Sequence, residues 1–242
     1  MELTKEEIRE QIWRHLEEQK FARFPFPVQG RIPNFVGASK AAQCLKSTSE
    51  YIQAQVILVN PDSPQRPVRL AALQDRKTVV MPTPRIRSGF LLLRSEKIPE
   101  QKYSSASTIR GAFKFGQKTP PSDLPVIDLK VMGCVAVTQG GIRIGKGEGY
   151  SELESAILLE FGILTQETPY VTTCHDVQLI DQQIADIEPW DLVVDLIITP
   201  TQILRIPSHK IRPKILWDYL SQEKLEEIPL LKEMMYGQLD KQ

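Results

Sequence analysis

From Val131 to Phe161 the chain reads VMGCVAVTQGGIRIGKGEGYSELESAILLEF, and this stretch leaves few architectures open. The apolar run Val131 to Val137 predicts one buried strand, and Gly140-Gly141 then turns the chain into a short second strand, Ile142 to Ile144. Gly145, Gly147 and Gly149 follow at alternate positions around Lys146 and Glu148, so their backbone N–H groups are not shielded by side chains. Arg143 and Lys146 add positive charge beside them. From Tyr150 the pattern turns helical, with Leu153, Ile157 and Phe161 four residues apart, and the loop opens on a helix N-terminus that favours negative charge. The combination is that of an anion cradle, although the same glycines would serve a plain turn and helix cap. Two other phosphate motifs are near-misses. Gly140 to Lys146 fits the start of a P-loop, but Gly147 stands where its Ser or Thr belongs, and Tyr150 takes the place of the third glycine of G-x-G-x-x-G.

The rest of the chain supports an α/β sheet. Thr4-Lys5-Glu6-Glu7 has the form of a capping box, and Ile8, Ile12 and Leu16 continue a helical stripe through about Lys20. Lys5 and Arg9 lie four apart on one face of that helix, as a phosphate clamp or as a solvated basic face. Phe24 to Phe35 is interrupted by three prolines and reads as an ordered, non-helical arm, in which Arg31 and Asn34 either reach a ligand or cap the surface. A short helix is expected over Gly37 to Leu45, then strand Ala54 to Val59, helix Pro67 to Asp75, and strands Lys77 to Met81 and Gly89 to Leu93. Later strands fall at Tyr170 to Asp176 and Val193 to Thr199, and helices at Lys214 to Leu220 and Gln222 to Leu239, the latter interrupted by Pro229. Asp128 reads as a strand-edge or turn residue. His175-Asp176 suits acid–base chemistry or a hydrogen-bonded structural histidine.

Thirty basic residues balance thirty acidic ones among 242, which leaves no electrostatic footprint for nucleic acid. Cys44, Cys134 and Cys174 are isolated, and neither they nor His15, His175 and His209 form a metal set. With no signal peptide or bilayer-length apolar run, the expectation is a cytoplasmic protein that engages no membrane.

Arg143-Ile144-Gly145-Lys146-Gly147-Glu148-Gly149-Tyr150 resembles the R-L-G-x-G-x-G-Y-Y-D signature of the 5-formyltetrahydrofolate cyclo-ligase family. The F-P-x-P…R-I-P-N-F-x-G-A arm is similar to that of its branch of methenyltetrahydrofolate synthase domain-containing proteins. The resemblance spans roughly Lys5 to Thr201. It implies a three-layer α/β/α fold with a mostly parallel sheet, of the type shared with sugar-phosphate isomerases and CoA transferases. On this reading residues 1–206 form the cyclo-ligase-like domain, and 207–242 a helical tail packed on it, as a monomer or, through Leu230, Leu231, Met234 and Met235, a homodimer.

The implied reaction is closure of 5-formyltetrahydrofolate to 5,10-methenyltetrahydrofolate with ATP and Mg²⁺. The resemblance assigns ATP to Lys5, Arg9, Arg143, Gly145, Lys146, Gly147, Glu148, Gly149 and Tyr150, with Arg143 and Lys146 as the catalytic cations. It places magnesium on Glu152 and Asp191, with Asp195 on the family's second acidic position, and the reduced folate on Asp62. Glu152 stands for the family's aspartate, Ser151 for its second tyrosine and Trp190 for a polar residue. A binder of nucleotide or folate without turnover, and an ATP-dependent ligase of another small substrate, therefore remain as alternatives.

Overall fold

The computed structural model describes residues 2–207 and 211–239. Helix α1 (Lys5–Glu18) starts at a complete capping box in which Thr4 and Glu7 each bond the other's backbone N–H. Strands β1 (Ala22–Arg23) and β2 (Asn34–Phe35) pair antiparallel and close the proline-rich arm. Trp13 Nε1 donates to the Arg31 carbonyl at 3.0 Å and Asn34 Nδ2 to the Phe24 carbonyl at 2.8 Å, so the arm is held by one bond from α1 and one of its own.

Helices α2 (Ala38–Lys46) and α3 (Ser49–Gln53) lead to β3 (Val56–Val59), α4 (Arg66–Gln74), β4 (Thr78–Pro82) and β5 (Phe90–Arg94). The weakly patterned stretch after it holds two short helices, α5 (Tyr103–Ala106) and α6 (Ile109–Phe115), and an edge strand, β6 (Gln117–Thr119). Next come β7 (Leu129–Met132), β8 (Ala136–Thr138), β9 (Arg143–Ile144) and α7 (Tyr150–Glu160). The chain continues through β10 (Tyr170–Thr173), β11 (Leu179–Ile180), β12 (Leu196–Ile198), β13 (Ile203–Arg205), α8 (Gln222–Glu227) and α9 (Pro229–Leu239).

The main sheet has the order β13-β12-β10-β7-β3-β4-β5-β6. Its five central strands pair in parallel, and antiparallel strands extend both edges. Both faces are covered, which is why these strands read as unbroken apolar runs. Ile57, Val59, Val79 and Met81 pack toward α2 and α4, whereas Leu58, Val80 and Met132 pack toward α7. Three layers result, as expected. A smaller sheet, β11-β8-β9, carries α1 through Ile8, Ile12, Trp13 and Leu16.

Three expectations are corrected. The run Val131 to Val137 is not one strand: β7 belongs to the main sheet and β8 to the small one. The break falls at Gly133, where a Cβ would stand 2.4 Å from Ile32 Cγ2 and 2.6 Å from Gln65 Oε1, so the chain passes through a gap only glycine fits. Phe161 caps the C-terminus of α7 and is 38% exposed, because the helix ends before its stripe repeats. Lys214 to Leu220 is not helical beyond a single 3-10 turn, Trp217–Tyr219. It runs as a strap that buries Ile215 against the α7 side of the core and presents Leu216 and Leu220 to a cavity.

Pro229 separates α8 from α9, as its missing N–H requires, and Ile228 and Leu231 are buried in the same cluster as Leu158. His209 and the ends of the expected tail lie outside the described residues.

Candidate functional site

A cavity of about 550 Å³ opens where α1, the loop after β9, the N-terminus of α7 and the segments following β3 and β4 meet. Every residue the sequence nominated for ATP, metal or substrate lines it: Lys5, Arg9, Asp62, Arg143, Gly145 through Glu152, and Asp191. These positions come from four distant parts of the chain.

The glycine loop owes its path to backbone conformations that side chains resist. Gly147 has φ +97° and Gly149 φ +72°, and a Cβ on Gly147 would lie 3.4 Å from the Arg9 guanidinium carbon. Gly149 then occupies the N-cap of α7 without a side-chain bond to the first turn. Arg9 ties the loop to α1, with Nε donating to the Gly145 carbonyl at 2.8 Å and Nη1 to Glu6 at 2.7 Å.

Arg143 is 3% exposed. Its Nε donates to the Gly133 carbonyl at 2.7 Å, Nη1 to Glu152 at 2.7 Å and Nη2 to the Ser151 hydroxyl at 3.3 Å. The strand break at Gly133 thus supplies the acceptor that aims the guanidinium at the loop. Lys146 pairs with Glu148 at 2.6 Å on the loop's rim.

Lys5 Nζ meets both oxygens of Asp191, at 3.0 and 2.8 Å. Glu152 and Asp191 are the hard oxygen donors Mg²⁺ takes, and both face the cavity in which the phosphates would lie. Among the described residues no group of three or more His, Cys, Asp or Glu is gathered as a metal cluster. A magnesium ion that keeps waters and substrate phosphates needs only one or two carboxylates, and Glu152 and Asp191 are of the right donor type, each held in an ion pair, with Arg143 and with Lys5. Asp195 serves the fold instead, accepting from the Tyr170 N–H at 2.7 Å and pairing with Arg212.

Asp62 is half-buried in the cavity wall. Desolvation pushes its carboxyl up from the ordinary range, against the pull of Lys146, Arg143 and Arg69. Arg31 also lines the cavity, whereas Asn34 is absent from its lining. His175 is a structural residue: Nδ1 accepts from the Val177 N–H at 3.3 Å, the ring stacks on Phe21, and burial lowers its proton affinity. Asp128 accepts from the Gln55 and Val56 N–H groups at 2.8 Å and ties two strand starts together.

Several residues of the site escaped sequence reasoning. Beneath the cavity, Lys130 is fully buried and pairs at 2.7 Å with Glu154, which also accepts from Asn60 Nδ2 at 2.9 Å. Asn60 Oδ1 is buried with no hydrogen-bond partner among the described residues, and both Asn60 and Glu154 line the cavity. The available signal was a lone lysine between Leu129 and Val131, since a buried cation requires a counter-charge. Tail residue Glu227 accepts from the Tyr150 hydroxyl and binds Arg85 and Arg87 at 3.0 and 2.8 Å, and nothing in its own segment marks this.

Comparison with known proteins adds independent findings. The model of the 5-formyltetrahydrofolate cyclo-ligase family matches residues 2–200. A methenyltetrahydrofolate synthase domain-containing protein of Bos taurus is 38% identical over 237 residues, covering 97% of this chain and 62% of the relative. Its Homo sapiens counterpart is 38% identical over 235 residues, covering 96% and 61%. The chain therefore spans about three fifths of the length of these curated relatives. Among solved structures, the NMR structure of Aquifex aeolicus 5,10-methenyltetrahydrofolate synthetase matches with TM-score 0.52 and 18% identity, covering 90% of this chain and all of that one, a likeness of fold.

Proposed function

The chain belongs to the 5-formyltetrahydrofolate cyclo-ligase family, and from that premise we propose that it closes 5-formyltetrahydrofolate to 5,10-methenyltetrahydrofolate with ATP and Mg²⁺. The observation that carries this reading is the convergence on one cavity of a cationic clamp, a glycine loop at a helix N-terminus, two carboxylates and Asp62.

The chemistry explains the residue types. A formamide oxygen leaves poorly. Transfer of the terminal phosphoryl group of ATP to that oxygen, with release of ADP, lets N10 form a bond to the same carbon and give up its proton to solvent, after which the C–O bond breaks and phosphate departs with its electron pair. The protein's work is then positioning and charge stabilisation.

Lys5 and Arg9, four apart on α1, present their cations to the distal phosphates, and the loop amides from Gly145 to Gly149 cradle them. Arg143 faces the charge as it moves. It is already anchored by the Gly133 carbonyl and needs no reorientation. Lys146 neutralises charge at the rim. When bound, Mg²⁺ supplies Lewis-acid charge neutralisation to phosphate oxygens, and Glu152 and Asp191 are the residues that would hold it. Asp62 offers a carboxyl to the N–H edge of the substrate's ring.

Purified protein mixed with ATP, Mg²⁺ and 5-formyltetrahydrofolate is expected to develop the near-ultraviolet absorbance of the methenyl product, requiring both ATP and metal. Folded, ATP-binding protein that gives no signal overturns this assignment. One observation favours a second reading, a ligase acting on another small formylated or carboxylated substrate. The family signature is departed from at Ser151, which replaces its second tyrosine, and at Trp190, which replaces a polar residue, while the glycines of the loop are kept. Tight ATP binding without folate binding would select it.

A further inference from the structure

A second cavity, of about 340 Å³, lies on the other side of the glycine loop. Gly147, Glu148, Gly149, Glu152 and Trp190 line both cavities, so the two adjoin around the glycine loop. Its character differs from the first. Leu153 of α7 and Trp190 form one side, and the strap and tail supply Leu216, Tyr219, Leu220 and Lys224 opposite. The Trp190 and Tyr219 rings stand 5.1 Å apart, tilted by 57°. All the tail residues lie beyond position 200, where the family match ends.

The tail is fastened to the cradle itself. Tyr150, at the first position of α7, donates its hydroxyl to Glu227, and the Lys224 ammonium sits 3.4 Å from the centre of the Tyr150 ring. Arg85 and Arg87 bind the same Glu227 carboxylate. The aromatic wall is therefore held in register with the loop that would carry the phosphates.

We infer that the strap and tail complete the nucleotide site, with the second cavity taking the nucleobase against Trp190 and Tyr219. This rests on the ATP reading above. A ligand that is anionic at the cradle and continues past the same glycines into an apolar, aromatic-walled space is a nucleotide: a planar heterocycle tethered to its own phosphates. A base presents two apolar faces and gains from aromatic contact whatever its hydrogen-bonding edge.

The test compares Mg·ATP with Mg·tripolyphosphate, which keeps the charge and lacks the base, by titration calorimetry on the whole chain. Wild-type protein is expected to bind ATP more tightly than tripolyphosphate. Tyr219 is 64% exposed, so Tyr219→Ala leaves the fold intact. It is expected to weaken ATP roughly tenfold, leave tripolyphosphate unchanged, and be rescued by Tyr219→Phe. Equal affinity of wild type for the two ligands, no effect of Tyr219→Ala, or an equal loss for both overturns the inference and leaves the ATP reading standing. A loss confined to 5-formyltetrahydrofolate assigns the cavity to the substrate's ring and also overturns it. Wild-type protein that binds neither phosphate ligand overturns the ATP reading and the inference together.

Discussion

Replacing Lys130 by methionine shortens the side chain by one heavy atom, removes its charge and leaves the Glu154 carboxylate buried with Asn60 as its remaining hydrogen-bond donor. Both side chains of the pair are almost wholly enclosed, at 0% and 3% exposure, so solvent cannot take over the lost interaction. Breaking a buried pair from one side costs about 3–5 kcal/mol. With a urea m-value of about 3 kcal/mol/M, a loss near 4 kcal/mol lowers the unfolding midpoint by about 1.3 M.

The loss has a pH dependence of fixed sign. Desolvation already raises the proton affinity of Glu154 in the folded state, and Lys130 opposes that rise. Without Lys130 the folded carboxyl binds its proton more tightly still. An acid whose folded pKa lies above its unfolded one stabilises at low pH and loses that contribution as pH rises through the folded value. The deficit is therefore largest at high pH, where the folded carboxyl is ionised, and shrinks as pH falls toward the unfolded value. Adding Glu154→Leu should restore most of the stability, because an apolar pair of similar volume replaces the ionic one. A deficit below about 1 kcal/mol, one that ignores pH, or no recovery in the double variant would refute the reasoning. The double variant also separates fold from function, since Glu154 lines the cavity and its loss should impair substrate handling in a stable protein.

Arg143→Lys cannot reproduce the bonds to Gly133, Glu152 and Ser151 together, and turnover in the methenyl assay should fall roughly 100-fold or more, whereas unchanged turnover would remove Arg143 from charge stabilisation. Gly147→Ala forces a side chain into φ +97° beside Arg9, so ATP affinity measured by calorimetry should drop by about 1–2 kcal/mol; an unchanged affinity would show that the loop's path does not matter to phosphate. Thr4→Ala removes one half of the capping box at the start of α1 and should lower the melting temperature by roughly 2–4 °C, with no change meaning that the cap is redundant. The Tyr150 hydroxyl, Arg87 and Arg85 pull the Glu227 carboxyl from its ordinary value near 4.5 to about 2. A depressed acid contributes above its unfolded pKa and loses that contribution as pH falls toward the folded one. Tail attachment, followed by tryptophan fluorescence, should therefore loosen between pH 4.5 and 2, and Glu227→Gln should abolish this step.

Local residue patterns carried much of the site. The glycines of the loop announced themselves because positive φ and an open anion cradle both demand residues without a Cβ, and Gly147 and Gly149 have that conformation. The capping box and the spacing of Lys5 and Arg9 placed two cations on one helical face, and α1 carries them there. The alternation of short strands and helix through β3, α4 and β4 signalled a parallel α/β sheet. These features depend on backbone conformation and periodicity over a few residues, so neighbours along the chain suffice to express them.

Other features depend on strand order and on contacts between distant segments. The division of Val131 to Val137 between two sheets follows from Ile32 and Gln65 crowding Gly133, and neither is near it in the chain. Lys130 meets Glu154 because β7 runs beneath the first turns of α7, and the short-range pattern of each segment gave no partner for the other. Glu227 reaches Tyr150 only once the strap from Arg212 to Tyr219 has crossed the core, where Ile215 is buried. In the sequence by itself lay the glycines and cations of the candidate cradle, because backbone geometry and charge are local properties. The buried counter-charge and the aromatic wall were decided by tertiary structure alone, because desolvation and side-chain pairing exist only after remote segments pack together.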